Sequence, residues 1–268
     1  MTEAVLSLTD QLAARTRRRN TKAVVLAGGR GTRLAPYTSV LPKPLMPIGD
    51  RSILELVLAQ LAVCGITDVT LCVGYLSHLI EAVLSNRRED GVEITYVHEE
   101  EALGTAAPLR LVPGLDRTFI AMNGDVLTTL DYNSLLRYHR RNRNILTIAT
   151  RERPIQIDYG VLQLGENGRR NRVEAYTEKP RMKSTVSMGI YVFEPEALTY
   201  LPPTGRFDFP DLVQALLRKG EPVGAYRHKG LWFDIGRHED YEQAVSAWIE
   251  APNGKDSRTN FEVATGRV

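Results

Sequence analysis

One segment limits the fold of this chain more than any other: an apolar run that leads into a glycine cluster and then into a series of prolines. Residues 22–27 (KAVVLA) have the continuous apolar character of a strand covered on both faces. The glycines and prolines that follow are Gly28, Gly29, Gly31, Pro36, Pro42, Pro44 and Pro47. Because proline cannot continue a helix, this segment predicts a long ordered loop that runs along the edge of the sheet.

The first half of the chain alternates strand-like and helix-like segments. We predict strands at 22–27, 68–75, 92–97 and 118–122 and helices at 52–63, 77–84 and, more briefly, 106–111. Ser52 and Glu55 form the signature of a capping box at the first helix, and Gly65 ends that helix. Such alternation with short joints predicts a Rossmann-like three-layer α/β/α fold around a mixed, mostly parallel central sheet.

After residue 144 the pattern changes to closely spaced strands. They are predicted at 145–150, 160–164, 172–177 and 186–193, with helices at 209–219 and 239–249. These strands predict a small antiparallel addition to the sheet that roofs a pocket. The chain then divides into a basic extension at 1–21, one domain at 22–250 and a disordered tail at 251–268.

Composition excludes several classes of protein. Lys and Arg number 34 and Asp and Glu 32, and the excess lies in residues 1–22, whereas a nucleic-acid-binding domain is basic over a whole face. No apolar stretch reaches the roughly 18–20 residues of a membrane helix, and the N-terminus lacks the order of a secretory signal. Cys64 and Cys72 fit two reduced, buried thiols. We predict a cytoplasmic protein with no nucleic-acid and no membrane partner.

Two interpretations of the glycine cluster remain open from its residues alone, and two better-known motifs fail. It is a tight turn, or its backbone N–H groups approach a phosphate or a base that side chains would obstruct. A Walker A loop requires Gly-Lys-Ser/Thr, which is absent. A dinucleotide fingerprint requires a third glycine where Arg33 and Leu34 stand.

Residues 26–49, LAGGRGTRLAPYTSVLPKPLMPIG, resemble the signature of the sugar-1-phosphate nucleotidyltransferases, also called NDP-sugar pyrophosphorylases. Four later stretches match the same family in order: EALGTA at 101–106, NGD at 123–125, EKP at 178–180 and WFDIG at 232–236. The segments PKPLMPIG and LGTA are most similar to the mannose-1-phosphate guanylyltransferase-like branch. The thymidylyl branch typically has Lys-Gln-Leu where this chain has Lys-Pro-Leu.

The resemblance implies that an NTP is joined to a sugar 1-phosphate and that pyrophosphate is released. The sugar phosphate, with a second pKa of about 6, is itself an anionic nucleophile at neutral pH. No general base is then required, and catalysis depends on alignment and charge stabilisation. By resemblance, Arg33 stabilises the α-phosphate and the departing pyrophosphate, and Lys43 holds the reacting phosphates.

The resemblance also implies the remaining site residues. Nucleotide contacts fall on Leu26, Ala27, Gly28, Gly29, Gly31, Thr32, Gly104 and Thr105. Sugar-phosphate contacts fall on Asn123, Gly160, Glu178, Lys179 and Ser187. Asp125 and Asp234 are expected to bind Mg²⁺, which takes one or two carboxylates together with phosphate oxygens. One residue of the acidic run Glu99, Glu100 and Glu101 is a candidate for base recognition.

Ser187 departs from the family pattern, which commonly has Asn two residues before Gly-Ile-Tyr. Serine is shorter and lacks the paired donor and acceptor of an amide. We therefore expect the phosphate of a modified sugar or cyclitol as the acceptor, whereas the resemblance to the guanylyl branch implies a mannose-like phosphate and GTP as the favoured nucleotide. Relatives imply a homo-oligomer, either a dimer or a tetramer.

Three alternatives remain open from the sequence. The first is a thymidylyl- or adenylyltransferase that acts on a hexose 1-phosphate. The second is a catalytically silent regulatory subunit that binds a nucleotide sugar. The third is a GT-A glycosyltransferase, which would share the sheet and carry an Asp-x-Asp metal motif; here Asn123 stands two residues before Asp125.

Overall fold

The computed structural model describes residues 21–86, 91–165, 172–236 and 238–249. Its strands are β1 Lys22–Leu26, β2 Pro47–Ile48, β3 Arg51–Ser52, β4 Asp68–Val73, β5 Glu93–His98, β6 Phe119–Asn123, β7 Val126–Thr128, β8 Leu146–Gln156, β9 Val161–Leu164, β10 Val173–Thr177, β11 Arg181–Phe193, β12 Val223–Arg227 and β13 Trp232–Asp234. Its α-helices are α1 Ile53–Val63, α2 Ser77–Asn86, α3 Tyr132–Asn142, α4 Phe209–Arg218 and α5 His238–Ile249. The predicted N-terminal extension up to residue 20 and the predicted tail lie outside the described residues.

A seven-stranded sheet forms the centre of the fold, in the order β12-β8-β11-β6-β1-β4-β5. β1 pairs in parallel with β4 and β6, and β11 runs antiparallel to both of its neighbours, β6 and β8. The predicted mixed, mostly parallel sheet is therefore confirmed. Apolar clusters fill both faces of the sheet, because strands such as β1 and β4 are buried over most of their length.

The strand order reverses at β1. The chain passes from β1 to β4 and β5 on one side and then returns to β6 on the other side. Loops that leave the carboxyl ends of β1 and β6 diverge there, and open α/β sheets bind ligands in the crevice that this divergence creates. The topology thus places a ligand crevice beside Leu26 and Asn123, which are paired in register at the two strand ends.

The proline-rich segment forms the predicted ordered loop. Three short 3₁₀ turns, Thr32–Leu34, Tyr37–Ser39 and Lys43–Leu45, replace the helix that would otherwise follow β1. Gly31 has a φ of +61°, and Thr38 Oγ1 donates a hydrogen bond to Gly31 O at 2.8 Å. This hydrogen bond folds the loop back on itself, and Lys43 packs close to the glycine cluster, because a Cβ on Gly31 would lie 3.1 Å from Lys43 Cβ.

Helix α1 begins with the predicted capping box. Glu55 N–H donates to Ser52 Oγ at 3.3 Å, and Ser52 N–H donates to Glu55 Oε2 at 2.7 Å. Gly65, at a φ of +76°, follows the end of the helix as expected. Cys64 and Cys72 are both buried and unbridged, as predicted.

Ser52→Ala is expected to lower the free energy of unfolding by about 1 kcal/mol, because it leaves a helix N–H and the buried Glu55 carboxylate without their hydroxyl partner. Urea unfolding measures the change. Ser85→Ala is the matched control: the Ser85 hydroxyl donates to Ala82 O within α2 and is exposed, so its loss should cost less than about 0.5 kcal/mol. Equal stability of both variants would contradict the capping account.

The later strands extend further than the sequence predicts. β8 and β11 continue past the main sheet as a two-stranded ribbon in which Gln156 pairs with Arg181. A separate antiparallel hairpin of β9 and β10 confirms the small antiparallel addition. Helix α3 was not predicted. Within the described ranges, no helix has the length and apolarity needed to cross a membrane.

Candidate active site

A cleft of about 380 Å³ opens at the carboxyl ends of β1 and β6. The sequence-predicted residues that line it are Leu26, Ala27, Gly28, Gly29, Gly31, Thr32, Arg33, Lys43, Gly104, Thr105, Asn123 and Asp125. A larger cavity of about 500 Å³ lies between the β2–β3 hairpin and α2, but none of the predicted residues lines it. The chemistry-bearing side chains therefore identify the strand-end cleft, not the larger cavity, as the candidate site.

Close backbone packing explains the glycines at this edge. A Cβ on Gly28 would lie 2.8 Å from Glu99 Oε1, and a Cβ on Gly124 would lie 2.9 Å from Leu26 O. Gly124 N–H also donates to Leu26 O at 2.8 Å, which continues the pairing of β1 and β6. Glycine is thus required at position 124, where the strand ends meet, whereas a side chain at position 28 would displace the Glu99 carboxylate.

Lys43 and Asp125 form an ion pair within the cleft. Lys43 Nζ donates to Asp125 Oδ2, and the two side chains are only 12% and 19% exposed. The other carboxylate oxygen, Asp125 Oδ1, is buried and has no hydrogen-bond partner among the described residues. Burying a hydrogen-bond acceptor without a donor costs free energy. A ligand that donates to Asp125 Oδ1, or a cation that binds it, would remove this cost.

Asp234 lies beside this pair because β13 pairs with β7. Ile235 N–H donates to Asp125 O at 3.2 Å, which ties the two aspartate segments together. Burial raises the pKa of Asp234, the negative charge of Asp125 raises it further, and Lys43 and Arg33 oppose both effects. The two carboxylates and the two cations therefore share one electrostatic environment.

Arg33 reaches the same place from the loop after β1. A Cβ on Gly236 would lie 3.6 Å from both terminal nitrogens of the Arg33 guanidinium, so this group packs beside the WFDIG segment. The structure thus brings together four predicted residues that are far apart in sequence: Arg33, Lys43, Asp125 and Asp234. An arginine fork and a lysine point charge facing two carboxylates are suited to a metal-bound polyphosphate.

The carboxylates fit a magnesium site. Mg²⁺ binds proteins through one or two carboxylates and completes its shell with water and substrate phosphate oxygens. The unpartnered Asp125 Oδ1 is an oxygen donor of the required kind. In the described part of the chain, no group of three or more His, Cys, Asp or Glu side chains could hold a metal, so any such ion would depend on the substrate for further ligands.

Among the three glutamates of the acidic run, Glu99 lines the cleft, whereas Glu100 and Glu101 are exposed. Glu99 Oε2 accepts a long hydrogen bond of 3.4 Å from Leu103 N–H. Burial raises the pKa of Glu99, and the Leu103 hydrogen bond partly opposes that rise. Glu99 therefore adds a carboxyl group to the cleft wall beside Gly28 and Leu103.

Sequence reasoning missed two charged residues of the cleft wall, Arg206 and Asp208, besides the apolar Pro44 and Ala102. Asp208 Oδ1 accepts from Thr105 N–H at 2.9 Å and from Thr105 Oγ1 at 3.2 Å, and it thereby fixes the predicted Gly104–Thr105 loop. The signal available in the sequence was the position of Asp208 just before a predicted helix, which indicates only an N-cap.

The remaining predicted sugar-phosphate residues lie outside the lining of this cleft. Gly160 packs against the Tyr176 ring, and the Tyr176 hydroxyl donates to Glu178, so these groups gather on the β9–β10 hairpin. Lys179 is exposed and follows Glu178 at a φ of +45°.

Ser187 is nearer to the cleft. Its hydroxyl donates to Tyr191 Oη at 3.1 Å, and Gly189 N–H donates to Ser187 Oγ at 3.3 Å. A Cβ on Gly189 would lie 2.7 Å from Asn123 Nδ2. The Ser187 turn therefore adjoins Asn123, which lines the cleft.

Comparison with known proteins gives consistent results. The family model described as "Nucleotidyl transferase" matches residues 22–250. The chain is 34% identical to the UTP–glucose-1-phosphate uridylyltransferase of Synechocystis over 84% of this chain and 62% of that protein. It is 30% identical to the mannose-1-phosphate guanyltransferase of Neurospora crassa over 88% of this chain and 66% of that protein. The chain thus spans less than two thirds of these relatives.

The fold is also found in solved structures. A Bacillus anthracis protein, assigned as a glucose-1-phosphate thymidylyltransferase and crystallised with sucrose, superposes with a TM-score of 0.68 at 24% identity. The match covers 90% of this chain and 99% of that one. The predicted Rossmann-like α/β architecture is therefore confirmed at the level of the fold.

Proposed function

This chain belongs to the nucleotidyl transferase family, and on that basis we propose that it joins an NTP to a sugar 1-phosphate and releases pyrophosphate. GTP is the proposed nucleotide, and a mannose-like, modified-sugar or cyclitol phosphate is the proposed acceptor. The observation that carries the proposal is that Arg33, Lys43 and Asp125 line the strand-end cleft, and that Asp234, which is outside its lining, adjoins these three residues.

The proposed reaction is a single displacement at the α-phosphorus. A phosphate oxygen of the sugar 1-phosphate forms the new P–O bond, the bond between the α-phosphorus and its bridging oxygen breaks, and pyrophosphate leaves with that oxygen. Both reactants are anions, so their mutual repulsion is the main barrier that the protein must lower. Arg33 and Lys43 supply fixed positive charge for this, and the narrow cleft aligns the reactants.

Asp125 and Asp234 are the residues that would hold Mg²⁺. When bound, this ion neutralises phosphate charge and orients the triphosphate. Asp125 would keep its second oxygen for Lys43, so one carboxylate would connect the ion with the loop cation.

The preference for GTP is supported by the Glu99 carboxylate. Guanine presents two adjacent donors, N1–H and the 2-amino group, which match the two oxygens of an ionised carboxylate. Uracil and thymine place one donor between two carbonyl oxygens, and adenine places a donor beside an acceptor. An ionised Glu99 therefore favours guanine. As the pH falls through the raised pKa of Glu99, the carboxyl takes up a proton and the preference weakens.

Glu99→Gln is expected to lower the ratio of kcat/KM for GTP to that for UTP by about tenfold to a hundredfold, the worth of a hydrogen bond to a charged group. The amide keeps the shape of the side chain but offers one acceptor where guanine needs two. Glu100→Gln is the matched control, because this neighbouring glutamate is exposed and should leave the ratio unchanged. Equal ratios for all three proteins would remove Glu99 from base recognition.

A matrix of five NTPs against several sugar 1-phosphates, scored by pyrophosphate release, tests the proposed function. GTP with a mannose-like or modified acceptor should give the highest kcat/KM. Turnover with dTTP or ATP but not with GTP would contradict the proposed nucleotide, while the proposed nucleotidyl transfer would still hold. Absence of pyrophosphate with every pair would favour a silent regulatory subunit or a GT-A glycosyltransferase.

We further propose that the protein is a cytoplasmic homo-oligomer, either a dimer or a tetramer. Support comes from the apolar side chains that the hairpin region exposes, among them Tyr159, Leu162, Leu164, Val173, Tyr176 and Met182. Exposed apolar patches of this kind mark interaction surfaces. Light scattering of the purified chain measures the oligomeric state.

A further inference from the structure

The loop that precedes α4 is fixed against the predicted nucleotide loop. Phe207 N–H donates to Leu103 O at 2.9 Å, and Phe207 O accepts from the N–H groups of Ala106 and Ala107 at 2.9 and 3.0 Å. Arg110 donates to Pro202 O and, at 2.8 Å, to Gly205 O. The loop is thus held from both sides and forms a defined wall of the cleft.

Arg206 projects from this wall over Gly104. A Cβ on Gly104 would lie 3.1 Å from Arg206 Cγ, so the stem of the arginine packs against that glycine. Asp208 Oδ2 accepts from Arg206 Nε and lies 3.2 Å from Nη2. The side chain is 70% exposed and lines the cleft, so Asp208 orients the guanidinium while most of its five N–H donors remain for a ligand.

Arg206 and Glu99 flank the same short segment. Glu99 accepts from Leu103 N–H, and the Arg206 stem packs on the next residue, Gly104. A base that lies against Gly104 would therefore meet a carboxylate and a guanidinium. These two groups are complementary to guanine, because its N1–H and 2-amino group are donors while its O6 and N7 are adjacent acceptors.

We propose that Arg206 is a specificity-determining residue that binds O6 and N7 of guanine, with Asp208 as its positioning residue. Guanine is the base with two adjacent acceptors on that edge, and bidentate arginine is the pairing that recognises them. Adenine has a donor amino group beside N7, and pyrimidines lack N7. The inference rests on the proposed function, since it assigns a second contact to the base that Glu99 selects.

The test measures kcat/KM for GTP, ITP, 7-deaza-GTP and UTP with the wild type and with Arg206→Ala. We expect the variant to lose about tenfold to a hundredfold with GTP, which is the range for one bidentate arginine–guanine contact. ITP should show the same loss, because it keeps O6 and N7. 7-deaza-GTP should show a smaller loss, because it lacks N7, and UTP should show none.

Two controls separate this role from others. Arg218→Ala removes an exposed arginine at the end of α4 and should change none of the four values. Thermal melting of Arg206→Ala should match the wild type, because the side chain is largely exposed. An equal loss with all four nucleotides, or an equal loss with GTP and 7-deaza-GTP, would overturn the proposal. A wild type that does not use GTP would instead refute the proposed nucleotide before any variant is compared.

Discussion

Lys43→Ala is expected to lower kcat/KM for pyrophosphate release by about a thousandfold, the upper end of the range for one charge-stabilising group. Two effects combine. The triphosphate loses the cation that the loop after β1 places in the cleft. The Asp125 carboxylate, whose side chain is only 19% exposed, loses its counterion. Steady-state kinetics with the best substrate pair from the NTP matrix measures the loss, and circular dichroism checks that the fold is retained.

Lys22→Ala is the matched control. Lys22 Nζ lies 3.1 Å from Asp68 Oδ1, so this variant removes a lysine–aspartate pair of the same type outside the cleft. It should keep kcat/KM within a factor of about two and cost less than about 1 kcal/mol of stability, as partly exposed pairs do. If both lysine variants kept wild-type activity, Lys43 would have no role in phosphate binding.

Gly104→Ala is expected to lower kcat/KM for GTP by about a hundredfold or more and to lower the free energy of unfolding by about 3 kcal/mol. Gly104 has a φ of +89°, a backbone conformation that residues with a side chain rarely adopt. Its Cβ would also lie 2.7 Å from Phe207 O and 2.8 Å from Asp208 Oδ1. The wall that carries Arg206 must therefore move away from the nucleotide loop.

Gly205→Ala separates conformational strain from the clash. Gly205 has a similar φ of +80°, but nothing lies within 4 Å of the position of its Cβ. We expect a stability cost of about 1–2 kcal/mol from the left-handed backbone alone, with little change in kcat/KM. Guanidinium unfolding and kinetics on both variants give the comparison. Similar activity losses for the two variants would show that the contacts of Gly104 do not matter.

The parts of the fold that sequence predicts are those that local pattern determines. The capping residues of α1 and the buried run of β1 are fixed by neighbours along the chain, and both were predicted close to their observed bounds. Helix α3 was missed although its buried Tyr132, Leu135 and Leu136 have helical spacing. Most residues of that segment are charged or polar, so the few apolar residues at helical spacing do not predict a helix on their own.

Long-range contacts account for the rest. The sequence gives no reason to bury His139 in α3. The structure does, because His139 Nδ1 lies 2.8 Å from Thr147 Oγ1 and His139 Nε2 lies 3.1 Å from Glu194 Oε1, and both partners come from other parts of the chain. β8 and β11 extend beyond the predicted bounds because they pair with each other past the sheet. Pairing between two strands that are far apart in the chain cannot be predicted from the residue pattern within either strand.

The candidate site shows the same division. Motif resemblance predicted Arg33, Lys43 and the two aspartates, because each stands in a recognisable local run. Arg206 has no such run around it. It reaches the cleft because Phe207 and Asp208 bond to a loop about a hundred residues earlier in the chain.

Exchange of labelled pyrophosphate into the NTP tests the central claim, that the sugar phosphate itself attacks the α-phosphorus in one cleft. With enzyme, Mg²⁺, the preferred NTP and its sugar 1-phosphate, label should enter the NTP, because the reaction reverses through the nucleotide sugar. With the sugar 1-phosphate left out, no label should enter, since no protein group takes the nucleotide. Exchange without the sugar 1-phosphate, or none when it is present, would contradict the account.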